Sequence, residues 1–352
     1  MKKTSPYLSL TIDERIARAM QDKSFEEFCK KERRQSYFDA MFPIVEKIAK
    51  IDISGIKYDE SLISGVHLFT PKEIKKDAID FCEMIDNLDP DDISLLDRLN
   101  ENSQYFTSNS QGKDDRSYCK SKIEVNGDIT REIYVNLEGR LGDTQTVIHE
   151  FVHSFSEVFM SLKKQQDNRM AEIPTVITDH LSSKFMQDKY PQYKVNLIEN
   201  DRFRQVLNVK KARECLMDAM IVKVMCGEDT IDNVMKNYGD LFKEFPDILI
   251  SRLEKIETFD FWPMFESKYL VPQAIALEMK ERYKMNPQLV AKQLKHIIKD
   301  NHIMTEEETL NYLDLPERDT LIEGYVSKFS ERMSAMDNEK LKIEQCKQEI
   351  ML

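Results

Sequence analysis

Only 9 of the 352 residues are glycine, well below the ~7% usual in proteins, and this shortage constrains the fold more than any other feature. Tight-turned β-barrels, propellers and glycine-rich dinucleotide folds all need glycine where the backbone must take positive φ, so each is disfavoured. Methionine (18 residues), leucine, lysine and glutamate abound instead, and all four favour helix. The chain reads as mainly α and long enough to bury a substantial core.

Helix starts are well marked. Thr70-Pro71-Lys72-Glu73 combines an N-cap, proline at the first helical position and a capping-box glutamate. Thr11 with Glu14, Ser24 with Glu27 and Thr305 with Glu308 repeat the box, while Asp89-Pro90 and Asn286-Pro287 set a capping side chain before a proline. These signals predict helices near 11–50 (interrupted at Pro43), 71–86, 90–104, 143–164, 170–188, 201–226, 230–255, 265–284, 287–300, 305–313 and 318–348. One region departs from the helical pattern. β-Branched and aromatic residues recur over 118–125 and 129–137, and Asn126-Gly127 between them suits a tight hairpin turn. The polar stretch 105–117 reads as a loop joining an N-terminal helical part, 1–117, to a core over 118–352.

Acidic residues outnumber basic ones by 63 to 51, for a net charge of −12. Such a chain repels a phosphate backbone, and no basic groove interrupts the excess, so no nucleic-acid partner is expected. No stretch approaches the ~18–20 apolar residues of a membrane span, and the basic start, Met1-Lys2-Lys3, leads into no apolar signal core. The cysteines, at 29, 82, 119, 215, 226 and 346, show no paired spacing and read as reduced thiols. A cytoplasmic location is expected.

The chemical signal is Thr146-Val147-Ile148-His149-Glu150-Phe151-Val152-His153. On a helix His149 and His153 lie one turn apart, so both imidazoles project from one face and can hold a single zinc ion. Glu150 sits ~100° round from His149, near enough to serve a water at the metal without binding the metal. Val147, Phe151, Val158 and Leu162 form an apolar flank that buries the helix. Zinc needs a third protein ligand and keeps a fourth position for water. A metzincin would place glycine at 156 and histidine at 159, where this chain has Ser156 and Phe159. The favoured ligand is Glu172, 19 residues after His153; Glu157, one turn beyond His153, is the rival. Asp179, two turns past Glu172, is suited to accept a hydrogen bond from a ligating histidine and fix its tautomer.

At these residues the sequence resembles the oligoendopeptidase F and thimet oligopeptidase family. Arg131-Glu132-Ile133-Tyr134-Val135-Asn136-Leu137-Glu138-Gly139, then Asp143, then the His149–His153 helix, is similar to that family's strand ending in Asn-x-x-Gly, Asp-bearing turn and zinc helix. Glu172-Ile173-Pro174-Thr175 with Asp179 is similar to its Glu-x-Pro-Ser stretch with an acidic residue seven positions on. The resemblance is good over 131–185 and faint over 260–335. It implies a two-lobed helical metallopeptidase with a channel between lobes, one zinc per chain and Glu172 as third ligand. It also implies a strand around Tyr134 lying along the substrate. The alternation Ile133, Val135, Leu137 buries one side of that strand and turns Tyr134 and Asn136 to the other, as substrate-binding candidates beside a free strand edge. Where family members carry a tyrosine-rich segment that stabilises the tetrahedral intermediate, this chain has Lys268-Tyr269-Leu270-Val271-Pro272. The resemblance makes Tyr269 the candidate catalytic oxyanion donor, with Tyr325 in reserve.

The expectation is a zinc peptidase of short unstructured oligopeptides, with Glu150 as catalytic base. A narrow protease of one protein partner, permitted by the short length, and a pseudo-peptidase scaffold, suggested by the thinned tyrosine segment, are the alternatives.

Overall fold

A computed structural model describes residues 11, 14, 17, 40–59, 61–62, 69–102, 106–109, 117–123, 129–137, 139–140, 142–160, 168–253, 267–300 and 303–351. The described elements run α1 (Phe42–Ala49), α2 (Pro71–Leu88), α3 (Leu95–Asn102), β1 (Phe106–Asn109), β2 (Tyr118–Ile123), β3 (Ile129–Asn136), α4 (Asp143–Met160), α5 (Asn168–Lys189) and α6 (Lys194–Met225). They continue with α7 (Ile231–Tyr238), α8 (Phe245–Leu253), α9 (Leu270–Met285), α10 (Pro287–Asp300), α11 (Glu306–Tyr312), α12 (Arg318–Ser327) and α13 (Phe329–Met351). The fold is mainly α with one small sheet. Two units are distinguished, residues 1–54 with 206–270 and residues 55–205 with 271–352. The boundary at 117/118 read from the sequence falls inside the second.

In the first unit the end of α1 is tied to α6. Arg213 donates from Nε to the Ala49 carbonyl (3.0 Å) and from Nη2 to that of Ile51 (2.8 Å), meeting carbonyls that a helix C-terminus leaves open. Tyr238 on α7 donates to Glu46 Oε1 at 2.8 Å.

In the second unit the capping boxes at Thr70/Glu73 and Thr305/Glu308 both form. Ser24 and Glu27 lie outside the described residues. Helix α3 begins at Leu95 rather than at Pro90, because its first amides are capped from elsewhere. Asp86 on α2 accepts from the Leu95 and Leu96 N–H groups at 2.9 Å each. The segment expected as one helix over 230–255 is two, α7 and α8, and that over 318–348 breaks after Ser327.

The sheet has the order β1-β3-β2. The expected hairpin is present, with β2 antiparallel to β3 from Tyr118↔Tyr134 to Ile123↔Ile129; its turn lies outside the described residues. The 105–117 loop expectation is corrected at β1, which pairs parallel with β3 from Phe106↔Ile133 to Asn109↔Asn136. Four residues, Phe-Thr-Ser-Asn, are too short and polar to announce a strand. It forms because β3 offers it backbone partners, a long-range cause that local pattern does not contain.

Ile133 and Val135 are wholly buried and Leu137 nearly so, while Glu132 is exposed. After β3 the chain turns at Gly139, whose φ of 77° is readily available to glycine. Asp143 Oδ2 accepts from the Gly139 and Arg140 N–H groups at 2.7 and 3.1 Å, closing the turn and starting α4. Helix α4 packs on β2, β3, α2, α5 and α10, which buries Val147, Ile148, Phe151, Val152 and Phe155 to 3% exposure or less. Val158 and Leu162 of the expected flank fall outside the described side chains.

Candidate metal centre

His149 and His153 project side by side from α4, with ring centroids 4.8 Å apart and Nε2 atoms 3.1 Å apart. Glu172 reaches them from α5. Its Oε2 lies 3.7 Å from His149 Nε2 and 3.3 Å from His153 Nε2. Both histidine side chains keep a little exposure, 16% and 15%, whereas that of Glu172 has 4%. Thr175, one turn on, lies with Oγ1 3.4 Å from the same carboxylate oxygen. The three donors form a group able to hold a metal ion.

The donor chemistry suits that use. A tetrahedral ion with bonds of ~2.0–2.2 Å, the zinc values, sets its ligand atoms about 3.3–3.6 Å apart, and the observed 3.1, 3.3 and 3.7 Å bracket that spacing. The second nitrogen of His149, Nδ1, meets Asp179 Oδ2 at 3.2 Å. A carboxylate there fixes the tautomer of a ligating histidine. Glu157, the rival ligand, has its side chain outside the described residues.

The electrostatics follow from this crowding of acids. Burial alone would lower the His149 pKa, but the charge and hydrogen bond of Asp179, with Glu150 and Glu172 behind them, raise it to about 9 when no ion is bound. The Glu150 pKa is raised, chiefly because its carboxyl is buried; the two imidazoles oppose the rise, and Glu172 and Asp179 add to it. Neighbouring His180 is neutral. Burial and the Lys280 charge push its pKa down to about 4 while its Nε2 is bonded to Gln273 Oε1 at 2.9 Å.

The structure thus brings together His149, Glu150, His153, Glu172 and Asp179. Tyr134 stacks on Tyr118 across the sheet, centroids 5.2 Å apart, and the Asn136 N–H donates to Ser117 Oγ at 3.1 Å. The free-edge expectation for their strand is corrected. β3 is central, paired with β2 on one side and β1 on the other, so its backbone at 133–136 is already used. Tyr269 lies in the first unit, in a 3₁₀ turn, with the Lys268 and Lys211 ammoniums 4.8 and 5.6 Å from its ring centre. Tyr325 is 3% exposed, its ring beside Phe329 and Arg332. Sequence reasoning missed two polar neighbours of Asp179. Gln145 donates from Nε2 to the Asp179 carbonyl at 3.2 Å, and Arg204 Nη1 lies 4.0 Å from Asp179 Oδ2. Gln145 was findable, being one turn before His149 on the same face; Arg204, on another helix, was not.

No family profile and no curated protein matches the chain. Solved structures do resemble it in fold. One is a proposed oligoendopeptidase F from Bacillus anthracis str. Ames, with a TM-score of 0.53 and 13% identity over 94% of this chain. Another is PZ peptidase A with inhibitor 2, with a TM-score of 0.54 and 13% identity over 93%. The alignments span 60% and 61% of those longer chains. At this identity the likeness is one of fold.

Proposed function

We propose that the protein is a zinc-dependent peptidase acting on short unstructured peptides. One observation carries the reading: His149 Nε2, His153 Nε2 and Glu172 Oε2 converge within 3.7 Å of one another, beside a buried glutamate that is not one of the three. The fold shared with an oligoendopeptidase F and a PZ peptidase supports it.

His149, His153 and Glu172 would hold the ion, one per chain. Bound there, zinc would supply Lewis-acid polarisation of a peptide carbonyl and increase the acidity of water. Asp179 accepts a hydrogen bond from the His149 Nδ1–H and so keeps Nε2 as the ligating nitrogen. Glu150, its pKa raised chiefly by burial, takes a proton from the attacking water and passes it to the departing amine nitrogen as the C–N bond breaks. The Tyr134 and Asn136 side chains are the proposed contacts for an extended substrate. Among the described helices none is long and apolar enough to cross a membrane. The proposal of a cytoplasmic setting rests on the cysteine spacing of the sequence.

The test is zinc content together with cleavage of a ~10-residue peptide, a long disordered chain and a stable folded domain, with and without chelator (strand pairing needs only an extended segment). About one zinc per chain and chelator-sensitive turnover of the short peptide are expected. Cutting of the folded domain alone would favour the single-target protease. Zinc without any cleavage would favour the binding scaffold.

A further inference from the structure

Helices α4 and α5 meet along a ladder of polar rungs. His153 faces Glu172, and His149 faces both Glu172 and Asp179. The next rung is Gln145, whose Nε2 donates to the Asp179 main-chain carbonyl at 3.2 Å. Residues 145, 149 and 153 are each one turn apart on α4, and 172 and 179 two turns apart on α5, so every rung joins the same two helix faces.

Gln145 is a costly residue for that position. It is wholly buried, and among the described residues its Oε1 meets no hydrogen-bond donor. A buried amide that is half satisfied weakens a fold that leucine or methionine would fill without penalty. What it gains is a bond to the main chain, which constrains the position of the helix rather than of one side chain.

We propose that Gln145 is a positioning residue for the metal centre. Its bond sets the sliding register of α4 against α5, so that the Asp179 carboxylate meets His149 Nδ1 and Glu172 reaches both Nε2 atoms. The inference rests on reading the three-donor cluster as a zinc site.

The experiment uses the full chain carrying Gln145→Leu, titrated with zinc against a chromophoric chelator, and records the visible absorption of the Co2+-loaded protein. Zinc affinity is expected to fall about 10-fold, the low end of the range for groups supporting metal ligands, with a changed Co2+ spectrum. A matched control is Gln187→Leu. Gln187 is likewise buried on α5, with Nε2 3.2 Å from Asp201 Oδ2 and 3.4 Å from Ser183 Oγ, and its loss should leave zinc affinity and spectrum unchanged. Should Gln145→Leu fail to fold, Gln145→Met is read in the same way. Wild-type affinity and spectrum in the Gln145 variant overturn the proposal, as does an equal loss in the Gln187 control. A wild-type chain that takes up no zinc overturns the metal reading itself, and this one with it.

Discussion

Two buried glutamates in the same unit have opposite fates. Glu199 on α6 is wholly enclosed, yet each of its oxygens is answered. The Asp59 N–H donates to Oε1 at 2.7 Å, and Arg202 Nη1 and Lys340 Nζ reach Oε2 at 2.7 and 3.3 Å. Burial raises its pKa, but these partners outweigh burial and the net shift is downward. Glu150, 8% exposed, shares its surroundings with two imidazoles and two further carboxylates, and its pKa rises. The chain supplies Glu199 with its own countercharge and leaves the Glu150 cluster rich in lone pairs. A buried group complemented from within is a structural element; a cluster of close-set imidazole and carboxylate donors is suited to a cation from outside.

Replacing each glutamate by glutamine is the sharpest way to break this contrast. Glu150→Gln should lower peptide hydrolysis by about 10²–10⁴, the usual worth of a general base, with zinc content unchanged. Glu199→Gln should leave turnover per folded molecule as it was. If hydrolysis survives Glu150→Gln within a few-fold, the assignment of base is wrong. His149→Ala and His153→Ala should each abolish stoichiometric zinc, read by metal analysis of the purified protein.

Next in size is the support of the ligands. Asp179→Asn should weaken zinc binding about 10–100-fold in chelator competition. Unchanged affinity would show that the 3.2 Å contact with His149 does not orient the ligand.

On stability the order of the two glutamates reverses. Glu199→Gln removes the charge facing Arg202 and Lys340 and should cost about 3 kcal/mol in denaturant unfolding. The sign of its pH dependence follows from its depressed pKa. Stability from this carboxylate is fully present above the unfolded value of ~4.3 and is lost as pH falls through the lower folded value. Melting temperature measured from pH 6 to pH 3 should therefore drop more in the wild type than in Glu199→Gln over the acidic part of the range. Parallel curves would remove Glu199 as the source. The smallest effect belongs to Lys340→Gln. Its side chain is 19% exposed, and a partly solvated pair of this kind contributes roughly 0.5–1 kcal/mol.

How much of this was legible follows from the reach of each signal. The capping boxes at Thr70 and Thr305 act within four residues and form as the sequence indicates. The hairpin of β2 and β3 is nearly as local. The cap of α3 by Asp86, eight to ten residues upstream of its partners, was misread because Asp89-Pro90 offered a nearer start. Strand β1 went unseen, and with it the fact that β3 has no open edge. Its pairing with β3 spans 27 residues, from Phe106 to Ile133.

By itself the sequence determined the side-by-side projection of His149 and His153, since helical period alone sets residues four apart on one face. It also determined that glycine-poor, helix-favouring segments would build most of the fold. Only the tertiary structure decided that the Glu172 carboxylate comes within 3.7 Å of both imidazoles, that Asp179 backs His149, and that Gln145 joins the two helices. These contacts depend on how far α4 slides along α5, a register that arises only where the two helices meet and that no local spacing encodes.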